Sequence, residues 1–278
     1  MRKAISIALV TGILFSACKK SSSPAPNVTL PSGYYFVKTQ AVISYDSLGN
    51  RTDSSVTTYT YDAEGRSTNL LSQEYDVTVN PQGQLLYSYN TNYSFSNAGT
   101  VVVSQPGSQS ATYYIDAATR LADSSVTTTN GSTTTLVTRF YYDANGYRIK
   151  SDNYTINSGA YSQSSEDDFT ISNGNILQDI TYNYNDVYSG INDTLNSVFP
   201  AIAFPTPSEP VISEYLGSYG ITGKSSVNLL SSVNSDFSGV ITSLNYAYTF
   251  DSENRVSQLI ETVAGTNQIY ALVHYYFD

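Results

Sequence analysis

Three groups of side chains in this chain carry enough chemistry to weigh first. Glu166-Asp167-Asp168 is the densest acidic cluster. Clustered carboxylates suit Ca2+, which takes several oxygen ligands, and a carboxylate here would also serve as one half of a glycoside-hydrolysing pair. Neighbouring residues on a strand point to opposite faces, so Glu166 and Asp168 converge and Asp167 does not. Glu166 and Asp168 are therefore the metal candidates, but the full ligand spacing of a Ca2+ loop is missing, and a charged, solvated sheet edge explains the cluster equally well. A hydrolase would draw on these two together with Glu209 and Glu214. His274 is the only histidine, with Leu272 and Tyr276 on its face. A Ser-His-Asp hydrolase would need it as base, yet no Gly-x-Ser-x-Gly elbow is present to supply the nucleophile. No catalytic residue and no cofactor is expected, and the chain reads as a non-enzyme.

The tyrosines are the stronger lead. There are 26 of them and no tryptophan. Tyr87/Tyr89/Tyr93, Tyr182/Tyr184 and Tyr246/Tyr248 each set rigid amphipathic rings along one strand face. On an open concave face such rings stack on sugars or grip a protein, so glycan or protein is the expected ligand class. The competing reading makes Tyr the core residue of this fold, its hydroxyls reaching the sheet margins.

The elements that must position these groups announce themselves through a recurring phrase. It reads YDSLGNR at Tyr45–Arg51, YTYDAEGR at Tyr59–Arg66, FYYDANGYR at Phe140–Arg148 and YTFDSENR at Tyr248–Arg255. Weaker copies stand at Val79–Gln84, Phe95–Thr100, Ile115–Arg120 and Ile171–Asn175. An Asp that accepts from backbone two residues on, followed by Gly or Asn at positive φ, closes a hairpin with a bulge. The recurrent Arg most simply pairs with the turn acid or stacks on a nearby ring. The spacing between copies varies, which excludes a solenoid of fixed period and favours a meander of hairpins.

Period-2 alternation predicts strands from Tyr34–Ser44 through Ile176–Tyr184, then Ser225–Leu230, Val240–Phe250, Val256–Val263 and Ile269–Phe277. The expected fold is all-β: one large antiparallel meander, strongly curled or barrel-like, because so many strands in one sheet must curl or close. A long Pro-containing insertion near 186–223 breaks the rhythm, with Pro200, Pro205, Pro207 and Pro210. Its apolar content favours a plug over an edge or barrel end.

The N-terminus gives an address. Residues 1–17 read as a signal peptide: basic Arg2 and Lys3, an apolar stretch too short to span a bilayer, then Phe15-Ser16-Ala17-Cys18. Residues 18–32 form a Ser/Pro-rich tether, leaving 33–278 as one β domain. Cys18 is the only cysteine, so disulfides and cysteine metal sites are excluded for the domain. The net charge is −10; without Arg2 and Lys3, eleven basic residues face 23 acidic ones, a net of −12. Nucleic-acid binding, which needs clustered cations, is disfavoured.

Small residues before Cys18 resemble the lipobox of bacterial lipoproteins, which implies acylation of Cys18 and a lipid membrane as partner. The YD-x-x-G-R phrase resembles the YD repeat of Rhs-type shells. Gly223–Leu229 ahead of YTFDSENRV is similar to a phrase in uncharacterised envelope lipoproteins with a porin-like β fold. That resemblance implies a fold, a lipid anchor and a place in the cell envelope, at the outer membrane; it brings no activity and no site residue.

Overall fold

The computed structural model of the protein describes residues 37–62, 67–78, 83–96, 99–184, 193–198, 222–223, 229–237, 240–253 and 255–277. Among these are sixteen strands and no helix. They run β1 (Val37–Tyr45), β2 (Arg51–Tyr61), β3 (Ser67–Asp76), β4 (Gln84–Ser96), β5 (Thr100–Gln105), β6 (Gln109–Ile115), β7 (Ala122–Thr129) and β8 (Thr134–Tyr142). The second half is β9 (Arg148–Asn157), β10 (Ala160–Ser172), β11 (Asn175–Asn183), β12 (Asp193–Val198), β13 (Ser232–Phe237), β14 (Val240–Phe250), β15 (Val256–Val263) and β16 (Ile269–Phe277). Each strand pairs antiparallel with the next, and β1 pairs with β16, from Val37↔Phe277 to Ser44↔Ala271. The sheet is a closed barrel with the strands in sequence order around the ring.

The recurring phrase builds the turns as expected. In three complete copies the Asp Oδ1 accepts from two backbone amides: Leu48 and Asn50 on Asp46, Asn145 and Tyr147 on Asp143, Glu253 and Arg255 on Asp251. Asp116, in a weaker copy, accepts from Ala118 and Thr119. These bonds hold the Asp46 and Asp143 carboxyls below the usual range, the Asn50 side chain leading for Asp46 and the Tyr147 amide for Asp143. Gly49 and Gly146 supply the positive φ, and Arg120 takes it in the weaker copy. A bulge falls beside the residue before the Asp each time: Tyr45, Tyr61, Ile115, Tyr142 and Phe250. It adds local twist, which helps a long meander bend round to its first strand. Asn254 and the turn at 63–66 lie outside the described residues.

Two elements correct the sequence reading. β12 lies inside the stretch assigned to the insertion, and β13 is a strand the alternation did not mark; residues 225–228 of the strand expected at Ser225–Leu230 lie outside the described residues. DTLNSV and SVNSDF are six-residue strands with scant apolar content, so alternation alone did not mark them. Pro200, Pro205, Pro207 and Pro210 lie outside the described residues.

The two ends of the barrel differ. Every odd-numbered strand starts at the same end, and each carries a buried residue within its first four positions: Val37, Ser67, Val101, Ala122, Ser151, Asn175, Val233 and Val256. Ala271 is the only such residue among the described starts of even-numbered strands. The core cluster sits at that collar, where Val37, Val256, Leu259, Val273 and Tyr275 pack with Leu229, which arrives from the connection between β12 and β13. Tyr248 Oη donates to the Leu230 carbonyl at 2.7 Å and Tyr61 Oη to that of Val37, also at 2.7 Å. Leu229 and Leu230, at the described end of the long connection, therefore pack against the core cluster, whereas the insertion read as a plug lies, apart from β12 and 222–223, outside the described residues.

Register tells the inside from the outside. Directly opposed residues share a face, so buried Val273 carries the inner face to Val42, Ser55, Glu74 and Tyr87, and Tyr275 carries it to Gln40, Thr57, Ser72 and Tyr89. The alternate residues face out. On β4 these are Ser88, Asn90 and Asn92.

Gly223 joins the connection to the wall. Its φ is +114°, and a Cβ there would stand 2.9 Å from the Arg148 backbone nitrogen and 3.2 Å from the Tyr142 ring. Gly223→Ala should destabilise the barrel by about 1–3 kcal/mol. Gly131→Ala, where a Cβ meets nothing within 4 Å, should cost less. Thermal melts of the two variants check the order.

Candidate functional site

At the end away from the collar the barrel is a mouth. Tyr87 and Tyr89, the first inward aromatics of β4, are 62% and 47% exposed. Leu136, on the inner face of β8 by its pairing with Thr127 and Thr155, is exposed as well. Tyr93 continues the Tyr87/Tyr89 face toward the collar, where burial pushes its phenol up to about 12. On β14, Tyr246 and Tyr248 are half-buried and pack on the core cluster. The sequence was right that these rings share strand faces, and the structure divides them: Tyr87 and Tyr89 are available to a ligand, whereas Tyr93, Tyr246 and Tyr248 belong to the packed interior.

Deeper in the barrel an arginine organises the wall. Arg148 lies over the rings of Phe169 (4.5 Å) and Phe140 (6.0 Å), and Phe140 stacks on Tyr113. Arg255 repeats the device over Phe277 at 4.5 Å while pairing with Asp251 at 2.6 Å and Glu253 at 3.2 Å. These two recurrent arginines serve packing. Beside Arg148, Asp167 accepts from Ser151 Oγ, Asn153 Nδ2 and Thr181 Oγ1 at 2.8–3.0 Å. Asp179 faces the same interior, and its buried Oδ1 has no hydrogen-bond partner. Burial pushes its carboxyl up to about 6, with Asp167 adding to the rise and Arg148 opposing it.

On the outside of β8–β11 lies a second aromatic group. Glu166 and Asp168 share this outer face and Asp167 does not, as expected. Glu166 is held by Lys150 at 2.9 Å, and the same ammonium lies 3.3 Å from Asp152 Oδ1. Tyr182 is opposite Glu166 in the ladder, and Tyr184 Oη donates to Glu166 Oε2 at 3.3 Å. The hydrogen bonds that the Lys150 ammonium donates to the Glu166 and Asp152 carboxylates raise its pKa. Glu166 thus has an ammonium partner in place of a metal. Among the described residues, no group of three or more His, Cys, Asp and Glu is placed to hold a metal ion.

Sequence reasoning named Tyr182 and Tyr184 here and missed Tyr141, Tyr154, Tyr161, Arg139 and Lys150. A signal was present: in K-S-D-N-Y (Lys150–Tyr154) the alternate residues Lys150, Asp152 and Tyr154 share one face. His274 also lies on the outer wall, stacked on Tyr276 with ring centroids 6.5 Å apart and opposite Ala41 and Gln258. Cys18, Glu209 and Glu214 fall outside the described residues.

No protein-family model matches the chain, and no curated protein does. Solved structures do. A porin-like protein from Bacteroides uniformis aligns over 88% of this chain and 99% of its own, with TM-score 0.66 and 16% identity. A porin-like protein from Bacteroides vulgatus aligns over the same shares with TM-score 0.56 and 10% identity. At these identities the likeness establishes a porin-like β fold.

Asp179 gives the interior a pH dependence. Its folded pKa, about 6, stands above the ordinary aspartate value of 3.8, so the folded state holds the extra proton between those values. Its contribution to stability is full below about pH 4 and is lost as pH rises through 6. Asp179→Asn should therefore stabilise the barrel at pH 7.5, on the order of 1–3 kcal/mol, and leave it unchanged near pH 4. Urea unfolding across that range reads the difference.

Proposed function

We propose that this chain is a lipid-anchored protein of the cell envelope, held at the outer membrane through acylated Cys18, and that it binds a ligand without catalysing a reaction. The barrel stands in water and the bilayer is reached by the anchor alone. The character of the outer wall carries this reading. A barrel embedded in lipid presents an apolar band about 25 Å tall, with a cost of roughly 2–4 kcal/mol for a Lys or Arg at its middle. Here the outward residues include Ser88, Asn90 and Asn92 on β4, and Arg139, Lys150, Asp152, Glu166 and Asp168 across β8–β10.

The fold likeness to porin-like proteins suits an envelope setting, and the lipobox-like Cys18 supplies the attachment. Binding follows from the mouth: Tyr87 and Tyr89 are large, rigid rings left exposed in a concavity, where a partner covers apolar surface at little conformational cost.

Fractionation of cells producing the full chain tests the placement. The wild type should take up labelled palmitate and sediment with membranes, and Cys18→Ser should lose the label and become soluble. A Cys18→Ser protein that stays in the membrane after carbonate extraction would show an embedded barrel and overturn the reading. For the binding role, a thermal-shift screen of the full chain against envelope and dietary polysaccharides and peptide libraries should give at least one reproducible shift, abolished by Tyr87→Ala/Tyr89→Ala.

A further inference from the structure

We propose that the outer wall over β8–β11 is a second binding site, a flat platform for a neutral glycan chain, separate from the mouth. Its foundation is a buried charge on an outward face. Asp152 is only 7% exposed although it points away from the lumen, because side chains of the same face lie over it. Tyr141 Oη donates to Asp152 Oδ2 at 2.8 Å, and Tyr154 Oη reaches the same oxygen at 3.4 Å. Tyr184 Oη is anchored to Glu166. Bonds from their hydroxyls to carboxylates of the same wall restrain the Tyr141, Tyr154 and Tyr184 rings. Tyr154 is fixed further by Arg139 at 5.3 Å from its centroid and by Tyr161, whose ring stacks on it at 4.7 Å and 19°. The outermost rings remain open: Tyr161 is 50% exposed and Tyr184 53%.

The ligand class follows from this chemistry. Flat, pre-fixed rings suit the carbon-bound hydrogens on the face of a pyranose, and they lose little entropy on contact. Gln163, beside Tyr154 in the ladder, and the free lone pairs of Glu166 offer partners to sugar hydroxyls. The cations of the platform are already engaged, Lys150 by Glu166 and Asp152 and Arg139 over the Tyr154 ring, so an anionic ligand gains little. The strip crosses four strands, about 14 Å at ~4.8 Å per strand, which fits a chain better than a single sugar.

Affinity electrophoresis of the purified full chain, in native gels containing laminarin, galactomannan, xyloglucan or soluble starch, tests the proposal. At least one of the four should retard the wild type. Tyr161→Ala/Tyr184→Ala should weaken that retardation tenfold or more, whereas Tyr161→Phe/Tyr184→Phe, which keeps the rings, should retain most of it. Both positions are half-exposed, so the variants should melt with the wild type. Tyr87→Ala/Tyr89→Ala should leave the retardation intact. Four polysaccharides without effect, equal retardation of the alanine variant, or retardation lost only in the mouth variant would each overturn the platform. The last of these would leave the mouth as the glycan site and the binding role standing.

Discussion

A ring of sixteen strands encloses more space than its own side chains fill, and that geometric fact governs the rest of the molecule. Barrels of eight strands are just filled by their interior residues, and wider ones leave a lumen. This chain meets the excess by packing one end. Val37, Val101, Ala122, Val233 and Val256, each close to the start of an odd-numbered strand, make a dry collar together with Tyr275 and Leu229. The first and last strands meet against it, so closure and core formation are one event. Away from the collar Tyr87 and Tyr89 stand exposed on the inner face.

The arginines show how the collar is held with few bulky aliphatic residues. Arg148 and Arg255 stand at the ends of turn motifs and spread over Phe169, Phe140 and Phe277. A guanidinium brings planar surface and charge together, so it fills space between rings while its turn acid stays solvated. The same short phrase therefore reverses the chain and supplies a packing element. That economy explains why Asp143 and Asp251 lie at the collar end, where both services are needed.

Much of the fold was legible in the residues. The phrase around Asp46, Asp143 and Asp251 announced its turns because an Asx-type turn is a local arrangement, settled within five residues. Strands such as Thr134–Tyr142 and Val256–Val263 were bounded correctly by those turns. β12 and β13 were not legible, since DTLNSV and SVNSDF draw their order from neighbours on either side. Closure was beyond reach for a similar reason: Val42 meets Val273 across nearly the whole chain. The aromatic groups were half-readable. Period 2 placed Tyr87 with Tyr89 and Glu166 with Asp168, but which face turns inward depends on the sheet as a whole. The gathering of Tyr141, Tyr154, Tyr161 and Tyr184 depends on cross-strand register, which is settled by bulges several residues away.

An even number of strands returns both ends of the meander to the collar, Val37 beside Phe277. At the opposite rim the odd-numbered strands pass into the even-numbered ones. At Gly49, Gly107, Gly131, Gly159 and Gly265 along that rim, an added Cβ would meet nothing within 4 Å. Lengthening a turn there costs loop entropy that grows only slowly with size and disturbs no packed residue. The rim is thus the variable frontier of this architecture: descendants of such a chain can diversify what they recognise by extending these hairpins, while the collar keeps the barrel shut.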